Sequence, residues 1–322
     1  MKPTASLSLD LDNQWSYMRS HGDAGWAELP SYLDVAVPRI LKFLKERDLT
    51  ITFFIVGQDA ALEKNRDAIA AIAEAGHEIA NHSFNHEPWL HLYSKDELVA
   101  EFEKTETALE NVTGKRPVGF RGPGFSLSPT VIEVLGERGY EYDCSTLPTY
   151  IAPLARAYFF LKSPDISVEE KEKMRKLFGK FSDGFQTLKP QFIETNGRSM
   201  VEIPVTTFPL VKTPIHASYL LYLSSFSGAA ARLYWRSAVA ACRLTGTEPS
   251  FLLHPLDFLG GEDVDALKFF PGMNLSAEKK IVFLDYAISA LTRRFEVVTM
   301  REHAHAYKQR FGVSGSEGVL AT

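Results

Sequence analysis

Residues 51–81 read ITFFIVGQDAALEKNRDAIAAIAEAGHEIAN. Ile51 to Val56 is a short, continuous apolar run, the pattern of a parallel strand covered on both faces. Ala60 to Ala75 carries apolar residues at helical spacing and stops at Gly76, a suitable C-cap. Glu78 to Asn81 is a second strand-like run. Strand, helix and strand in this order form a β-α unit with a right-handed crossover and parallel strands.

The same rhythm extends in both directions. Upstream, Ser6 to Asp12 (SLSLDLD) alternates strictly, as a half-buried strand does. Tyr32 to Arg47 follows with Val37, Ile40, Leu41 and Leu44 at helical spacing. Downstream, Ser94 to Val112 opens with the capping-box pattern S-K-D-E and ends at Gly114. Val118 to Arg121 and Tyr140 to Cys144 are strands around a helix at Thr130 to Arg138. From about Leu147 to Gly228 the rhythm breaks, with a charged helical piece, Val168 to Phe178, between aromatic-rich stretches. Met200 to Pro204 is strand-like again and Ala229 to Leu244 helical. Ser250 to His254 is a buried strand, Ala277 to Phe295 a long helix and Glu296 to Thr299 a last strand. Seven or eight strands suffice for a barrel rather than an open sheet. The expected organisation is an α/β fold with one barrel domain over residues 1–311, an insertion at about 147–228 and a loose tail at 312–322.

Composition narrows the class. The chain has 322 residues, 45% hydrophobic and 23% charged, which excludes disorder, collagen and coiled coil for its bulk. Forty acidic against 35 basic residues, with no Lys/Arg run, argue against a nucleic-acid partner. Two cysteines, Cys144 and Cys242, exclude a disulfide framework and a cysteine-built zinc site. The N-terminal stretch has no apolar run long enough for a signal peptide, and no window approaches the roughly 20 apolar residues of a membrane span. A cytoplasmic location is expected, with peripheral contact at the inner membrane face left open. The composition permits a dimer without requiring one.

Three features at strand ends carry chemistry, because parallel α/β folds place their sites there. Asp10 and Asp12 stand two apart on a strand, so both carboxylates point into one space, where a cation would relieve their repulsion. The alternative is a solvated strand end or a helix cap. His82 and His86, spaced i, i+4, share one face of a helical turn and can bind one metal ion. Asn81 can orient one of them. Ser83 stands where a zincin has its glutamate, so the zincin base is missing. His254 ends a buried strand, as a satisfied core group or as a site residue. Together, one Asp and two His suffice as ligands for a catalytic metal, with a second carboxylate as base and a separate histidine as acid.

These motifs, in this order, resemble the polysaccharide deacetylases of carbohydrate esterase family 4. S-L-D-L-D ends the first strand. G-H-E-I-A-N-H-S-F-N-H, Gly76 to His86, carries the family's H-[ST]-x-x-H. F-R-G-P-G, Phe120 to Gly124, is similar to its R-x-P segment, D-C-S at Asp143 to Ser145 to its fourth motif, and F-L-L-H at Phe251 to His254 to its last. Order and spacing fit along about residues 5–145 and 248–300.

The resemblance implies a distorted (β/α) barrel of seven strands and a set of roles. Asp12, His82 and His86 would hold a divalent metal, zinc or another such as Co2+, Mn2+ or Fe2+. Asp10 would be the base that activates a metal-bound water, and Arg121 would keep Asp10 ionised and aimed. His254 would protonate the leaving amine, and Asp143 would tune His254. The substrate implied is an N-acetylated or N-formylated amino sugar, as a glycan or a lipid-linked glycan. Leu11 separates two aspartates that are adjacent in the usual T-F-D-D, which leaves the roles of Asp10 and Asp12 open to exchange. Amidase-like and deformylase-like relatives share D-x-D, so a small cyclic amide or ureide is an alternative substrate. Gly122 and Gly124 replace larger residues of the third motif.

Two other classes use the same residues. A non-haem iron oxygenase also needs two histidines and a carboxylate. A non-catalytic carbohydrate-binding module would keep the groove without turnover. The aromatic-rich stretches, Tyr150 to Leu161 and Phe208 to Phe226, are expected as an extra helical layer, or as an apolar lid whose Arg156, Lys162 and Lys212 meet lipid phosphates. His216 within it is expected to pack rather than to act as a fourth ligand. His303 and His305 are expected as solvated helix residues.

Overall fold

The computed structural model describes residues 2–151 and 181–311. Among the described residues nine strands form one sheet: β1 (Thr4–Leu11), β2 (Thr52–Ile55), β3 (Glu78–Asn81), β4 (Gly119–Phe120), β5 (Tyr142–Asp143), β6 (Gln191–Thr195), β7 (Arg198–Glu202), β8 (Ser250–Leu253) and β9 (Glu296–Val298). The order is β6-β7-β5-β4-β3-β2-β1-β8, with β9 beside β1. Every pairing is parallel except the β6–β7 hairpin. The chain leaving β7 then curls round to β8: Thr206 N donates to Ser250 O at 3.1 Å, and Ser250 N donates to Thr206 Oγ1 at 2.8 Å. These two bonds join the ends of the path β7-β5-β4-β3-β2-β1-β8, which is the distorted seven-stranded (β/α) barrel that the motif order implies.

Among the described residues the α-helices are α1 (Gln14–His21), α2 (Leu33–Lys45), α3 (Gly57–Ala61), α4 (Arg66–Glu74), α5 (Lys95–Thr113), α6 (Pro129–Glu137), α7 (Ala217–Phe226), α8 (Gly228–Thr245), α9 (Ala277–Thr292) and α10 (Met300–Phe311). Ser94 caps α5 through a reciprocal box with Glu97, and Gly114 ends it at φ 70°. The single helix expected at 60–75 is two, because Leu62 takes an extended conformation (φ −89°, ψ 122°) between α3 and α4.

The alternation of β1 has a different meaning from the one expected. Both of its faces are buried. Leu7, Leu9 and Leu11 join the large core with Ile40, Phe53, Ile55 and Leu253, between sheet and helices. Ser6, Ser8 and Asp10 point the other way, into the barrel, where Phe54, Ala80, Tyr142 and Val201 pack with Met300 and Ala304 of α10. The polar residues of β1 therefore face a protein interior, and each needs a partner there. Ser6 Oγ meets His303 Nδ1 at 2.9 Å, and Ser8 Oγ accepts from Arg121 at 3.0 Å. His303 is thus fully buried rather than solvated, whereas His305 stands exposed against Glu141.

β7 lies inside the stretch read as an insertion and is nonetheless a barrel strand, in register with β5 through Tyr142↔Val201 and Asp143↔Glu202. Its hairpin partner β6 turns at Asn196 and Gly197, both left-handed (φ 48° and 77°). An Asn-Gly pair is the sequence signal for such a turn. The second aromatic stretch does supply a helix, α7, which buries Leu220 and Leu221 against the large core. Lys212 Nζ is occupied by Gln186 O at 2.6 Å. Arg156, Lys162, the helical piece at 168–178 and the tail at 312–322 lie outside the described residues. Among the described residues no helix is long and apolar enough to cross a membrane.

Candidate metal centre and active site

The motif residues gather at the C-terminal rim of the sheet. Asp10 is the penultimate residue of β1 and Asp12 follows its end. Both face His82: Nε2 lies 4.0 Å from Asp10 Oδ2 and 3.4 Å from Asp12 Oδ1. His86 Nε2 lies 3.0 Å from the same Asp12 Oδ1. The shared space inferred from the D-x-D spacing is therefore present.

The two histidines do not share a helical turn. Residues 82–86 form a loop after β3, with Ser83 and His86 left-handed at φ 60° and 50°. Non-glycine residues in that region are strained and persist only where their surroundings over-determine them. Glu101 of α5 supplies much of that constraint. Its Oε1 accepts from the backbone N–H groups of Phe84 and Asn85 at 2.9 and 2.7 Å, and its Oε2 accepts from Asn85 Nδ2 at 2.7 Å. Asn81 orients the backbone rather than an imidazole, accepting from Ser83 N at 2.7 Å and donating to Tyr140 at 2.6 Å. Ser83 Oγ accepts from His86 N at 3.1 Å.

The donor set fits a divalent metal. His82 Nδ1 lies 2.6 Å from Arg121 O, a carbonyl that can only accept, so Nδ1 carries the proton. In the neutral ring the Nε2 lone pair then faces the carboxylates, the arrangement in which a carbonyl fixes a metal-ligating tautomer. Asp12 Oδ1 is buried and accepts no aligned hydrogen bond, although both Nε2 atoms are close. Burial opposes ionisation of Asp12, yet His86 and His82 hold its carboxyl well below the ordinary range. One ligand atom from each of Asp12, His82 and His86 lies within 4.8 Å of the others. An orphaned carboxylate oxygen facing two nitrogen donors is what a cation would resolve.

Asp10 is held from the opposite side. Arg121, fully buried, places Nη1 2.6 Å from Asp10 Oδ1 and donates Nε to Cys144 O at 3.0 Å. Its guanidinium also stacks 4.2 Å over the Phe54 ring. Burial alone would lower the Arg121 pKa, but Asp10 outweighs it and the net direction is up.

Asp143 does not reach His254 by a hydrogen bond. Its two oxygens accept from Ser145 Oγ at 2.6 Å and Ser145 N at 2.9 Å, and Ser145 Oγ accepts from Gly122 N at 2.8 Å. Asp143 thus holds the turn that follows Arg121. Across the register stands Glu202, whose carboxyl is pushed well above the ordinary range by burial and then by Asp143.

His254 follows Leu253, which is in register with Leu9 of β1, so it stands beside Asp10 on the rim. Its Nδ1 is 3.0 Å from Ser218 Oγ of α7, and its backbone N–H donates to Asp257 at 2.7 Å. Asp257 is buried, and burial raises its pKa against the opposing pull of His254 and Ser218. The groups beside the expected acid are therefore Ser218 and Asp257. His216 lies next to them, its ring centroid 6.2 Å from that of His254. Burial, then the His254 charge, lower it to about 3, so it is a neutral imidazole with an unpartnered Nδ1. It is not among the three clustered ligands.

Sequence reading missed the wall behind Asp12. Asp59 Oδ1 accepts from Asn13 Nδ2 at 2.7 Å, Trp15 Nε1 at 2.9 Å and Asn65 Nδ2 at 3.1 Å. Trp15 in turn sets its ring edge-on to His86 at 6.2 Å. Tyr17, kept protonated by burial and by Asp12, faces the same carboxylate as a neutral phenol. The strictly local signal for this network was slight: Asn13 is an N-cap, accepting from Gln14 N at 2.8 Å.

Comparison with known proteins bears on the whole arrangement. A family model described as polysaccharide deacetylase matches residues 23–142. That segment contains His82, His86 and Arg121, while Asp10, Asp12, Asp143 and His254 flank it. The peptidoglycan deacetylase of Helicobacter pylori is 30% identical over 145 residues, 45% of this chain and 48% of the relative. A peptidoglycan-N-acetylglucosamine deacetylase of Bacillus cereus is 37% identical over 86 residues, 27% of this chain and 30% of the relative. The chain thus spans half or less of these curated relatives' length. Among solved structures, a protein of Mycobacterium smegmatis assigned to the polysaccharide deacetylases superposes with TM-score 0.63 at 22% identity, covering 96% of this chain and 91% of that one. An allantoinase superposes with TM-score 0.56 at 16% identity, covering 97% and 92%. At these identities the likeness of the two structures is one of fold. The matched segment, the barrel and the ordered motifs thus agree in making the chain similar to the polysaccharide deacetylases.

Proposed function

We propose that this chain is a metal-dependent hydrolase that removes an N-acyl group, acetyl in the first instance, from an amino sugar of a glycan. The observation that carries the reading is the convergence, on one sheet rim, of Asp12, His82 and His86 around an unsatisfied carboxylate oxygen, with an Arg121-bound Asp10 and His254 beside them. The names of the curated relatives, peptidoglycan deacetylases, support the substrate class.

When bound by Asp12, His82 and His86, a divalent ion such as zinc would supply Lewis acidity to the amide carbonyl and lower the pKa of water. Asp10 accepts a proton from the attacking water. Its ion pair with Arg121 aims the carboxylate for that step and gives the buried group the opposite charge it needs. Water adds to the acyl carbon, the C–N bond breaks, and the products are a carboxylate and a free amine. The amine needs a proton as it leaves, and His254 provides it. Ser218 orients that ring through Nδ1, and Asp257 anchors the backbone N–H of the same residue. A positioned base of this kind contributes about 10²–10⁴ in rate.

The test is acetate release from N-acetylglucosamine oligomers by zinc-loaded protein, with Asp10→Asn as the blank and a cyclic ureide alongside. Acetate from the sugar that the blank does not give supports the reading. Turnover of the ureide alone overturns the substrate class, and silence on both overturns the hydrolase.

A further inference from the structure

A cavity of about 300 Å³ between α8 and α9 is lined by Arg236, Tyr286, Ala290, Arg293 and Arg294. None of these residues belongs to the site on the sheet rim. Arg232 stands 5.1 Å over the Tyr286 ring that forms part of the wall. We propose that this cavity binds a phosphate-bearing anion.

The charge pattern carries the inference. Every other described arginine donates to a carboxylate or a carbonyl: Arg19, Arg39, Arg47, Arg66, Arg116, Arg121, Arg138, Arg198, Arg301 and Arg310 each have such a partner. The side chains of Arg232, Arg236, Arg243, Arg293 and Arg294 have no ion pair or hydrogen bond among the described residues, and all five lie on α8 or just past the end of α9. Arg232, Arg236 and Arg243, at i, i+4 and i+11, fall within an arc of about 40° on α8. That helix contains no acidic residue at all. Cations after a helix C-terminus complement its dipole, which accounts for Arg293 and Arg294. It does not account for Arg232 and Arg236, which lie in the first half of α8, Arg236 lining the hollow and Arg232 standing over its Tyr286 wall. The chain as a whole carries a net charge of −5, so a carboxylate-free arginine cluster is against its average.

Guanidinium groups present planar forks that match phosphate oxygens, and several converging on one hollow lined by an aromatic ring suit a phosphate ester better than a carboxylate. The phosphate could come from a soluble ester or from a lipid headgroup, and Leu233 and Leu244 stand exposed on the same helix.

The full chain is titrated with inorganic pyrophosphate by calorimetry at low ionic strength, beside the double variant Arg236→Ala/Arg293→Ala. Both side chains are solvent-exposed, so the variant is expected to keep the wild-type melting temperature and deacylase activity. The proposal expects saturable binding to the wild type, weakened at least about tenfold in the variant. Sedimentation with phosphatidylglycerol vesicles and not phosphatidylcholine vesicles, lost in the variant and released by pyrophosphate, assigns the ligand to a headgroup. Pyrophosphate binding without sedimentation assigns it to a soluble ester. Absence of saturable binding to either probe, or equal binding by the variant, overturns the proposal. The test is independent of the deacylase reading.

Discussion

Arg121 Nη1 lies 2.6 Å from Asp10 Oδ1, with both side chains sealed from solvent. The two sit 111 residues apart, on β1 and on the loop after β4. The pair does two things at once: it gives a buried carboxylate an opposite charge, and it leaves the other Asp10 oxygen facing His82. Asp10→Asn is expected to retain metal at wild-type stoichiometry and to lose about 10²–10⁴ in kcat. Metal analysis of the purified variant checks it. A variant that comes out stripped of metal would exchange the roles of Asp10 and Asp12.

His82→Ala is expected to lose bound metal and activity together. His82 is a proposed ligand whose tautomer is set by the Arg121 carbonyl, and among the described residues no further donor joins the Asp12, His82 and His86 cluster to replace its Nε2. Titration of zinc against a competing chelator should show affinity down by at least about 100-fold. Unchanged affinity would remove His82 from the ligand set.

Ser218→Ala addresses the acid. Ser218 Oγ is 3.0 Å from His254 Nδ1 and comes from α7, outside the barrel strands. The variant is expected to lower kcat about three- to tenfold, with KM and metal content unchanged, since one neutral hydrogen bond is worth about 1 kcal/mol. A change confined to KM would assign Ser218 to substrate binding instead.

Gly119→Ala tests the seat of Arg121. A Cβ on Gly119 would fall 1.9 Å from Tyr142 Cζ, so the buried Tyr142 ring, and with it the β4–β5 pairing, is expected to shift to admit it. Overpacking of this sort costs about 1–3 kcal/mol. The melting temperature should fall and kcat with it, because Arg121 lies two residues on. Unaltered melting would show that Tyr142 can yield without moving the strand.

Glu248 predicts a pH dependence. Burial opposes its ionisation, but His303 and Arg310 outweigh it and lower the carboxyl from 4.5 to about 2. A carboxyl depressed in the folded state contributes stability above its unfolded value, and that contribution is lost as pH falls from about 4.5 toward 2. Glu248→Gln should therefore be less stable than wild type by about 1–2 kcal/mol at pH 7, after allowance for solvent screening, and the gap should close in acid. Denaturation curves across that pH range measure it. A gap that is constant with pH would locate the loss in packing.

Much of this was legible in one dimension. Apolar runs marked β2, β3 and β8 to within about a residue, and Ser94 with Glu97 and Gly114 bounded α5. The three clustered residues that could hold a metal, Asp12, His82 and His86, were legible as residue types in motifs. The Asn196-Gly197 turn of the β6–β7 hairpin was readable and overlooked. Other features had no local signal. The break at Leu62, extended between α3 and α4, is one of them. The left-handed loop of His82 to His86 depends on Glu101, which arrives from α5, 15 to 19 residues along the chain. Asp143 and His254 were paired by analogy, yet the nearest partners of His254 are a serine 36 residues upstream and an aspartate three residues downstream.

The sequence by itself determined the chemistry on offer and the parallel β-α order, because periodicity, caps and residue types are local properties of the chain. The tertiary structure decided what each polar group faces. Ser6, Ser8 and Asp10 looked like the wet side of a strand and became the lining of a closed barrel, since the Thr206–Ser250 bonds bring β7 round to β8. Once the barrel is closed, water cannot satisfy those groups, and each takes a partner from across the interior: His303 for Ser6, Arg121 for Ser8 and Asp10. Such pairings depend on register and closure, which no stretch of the chain encodes alone.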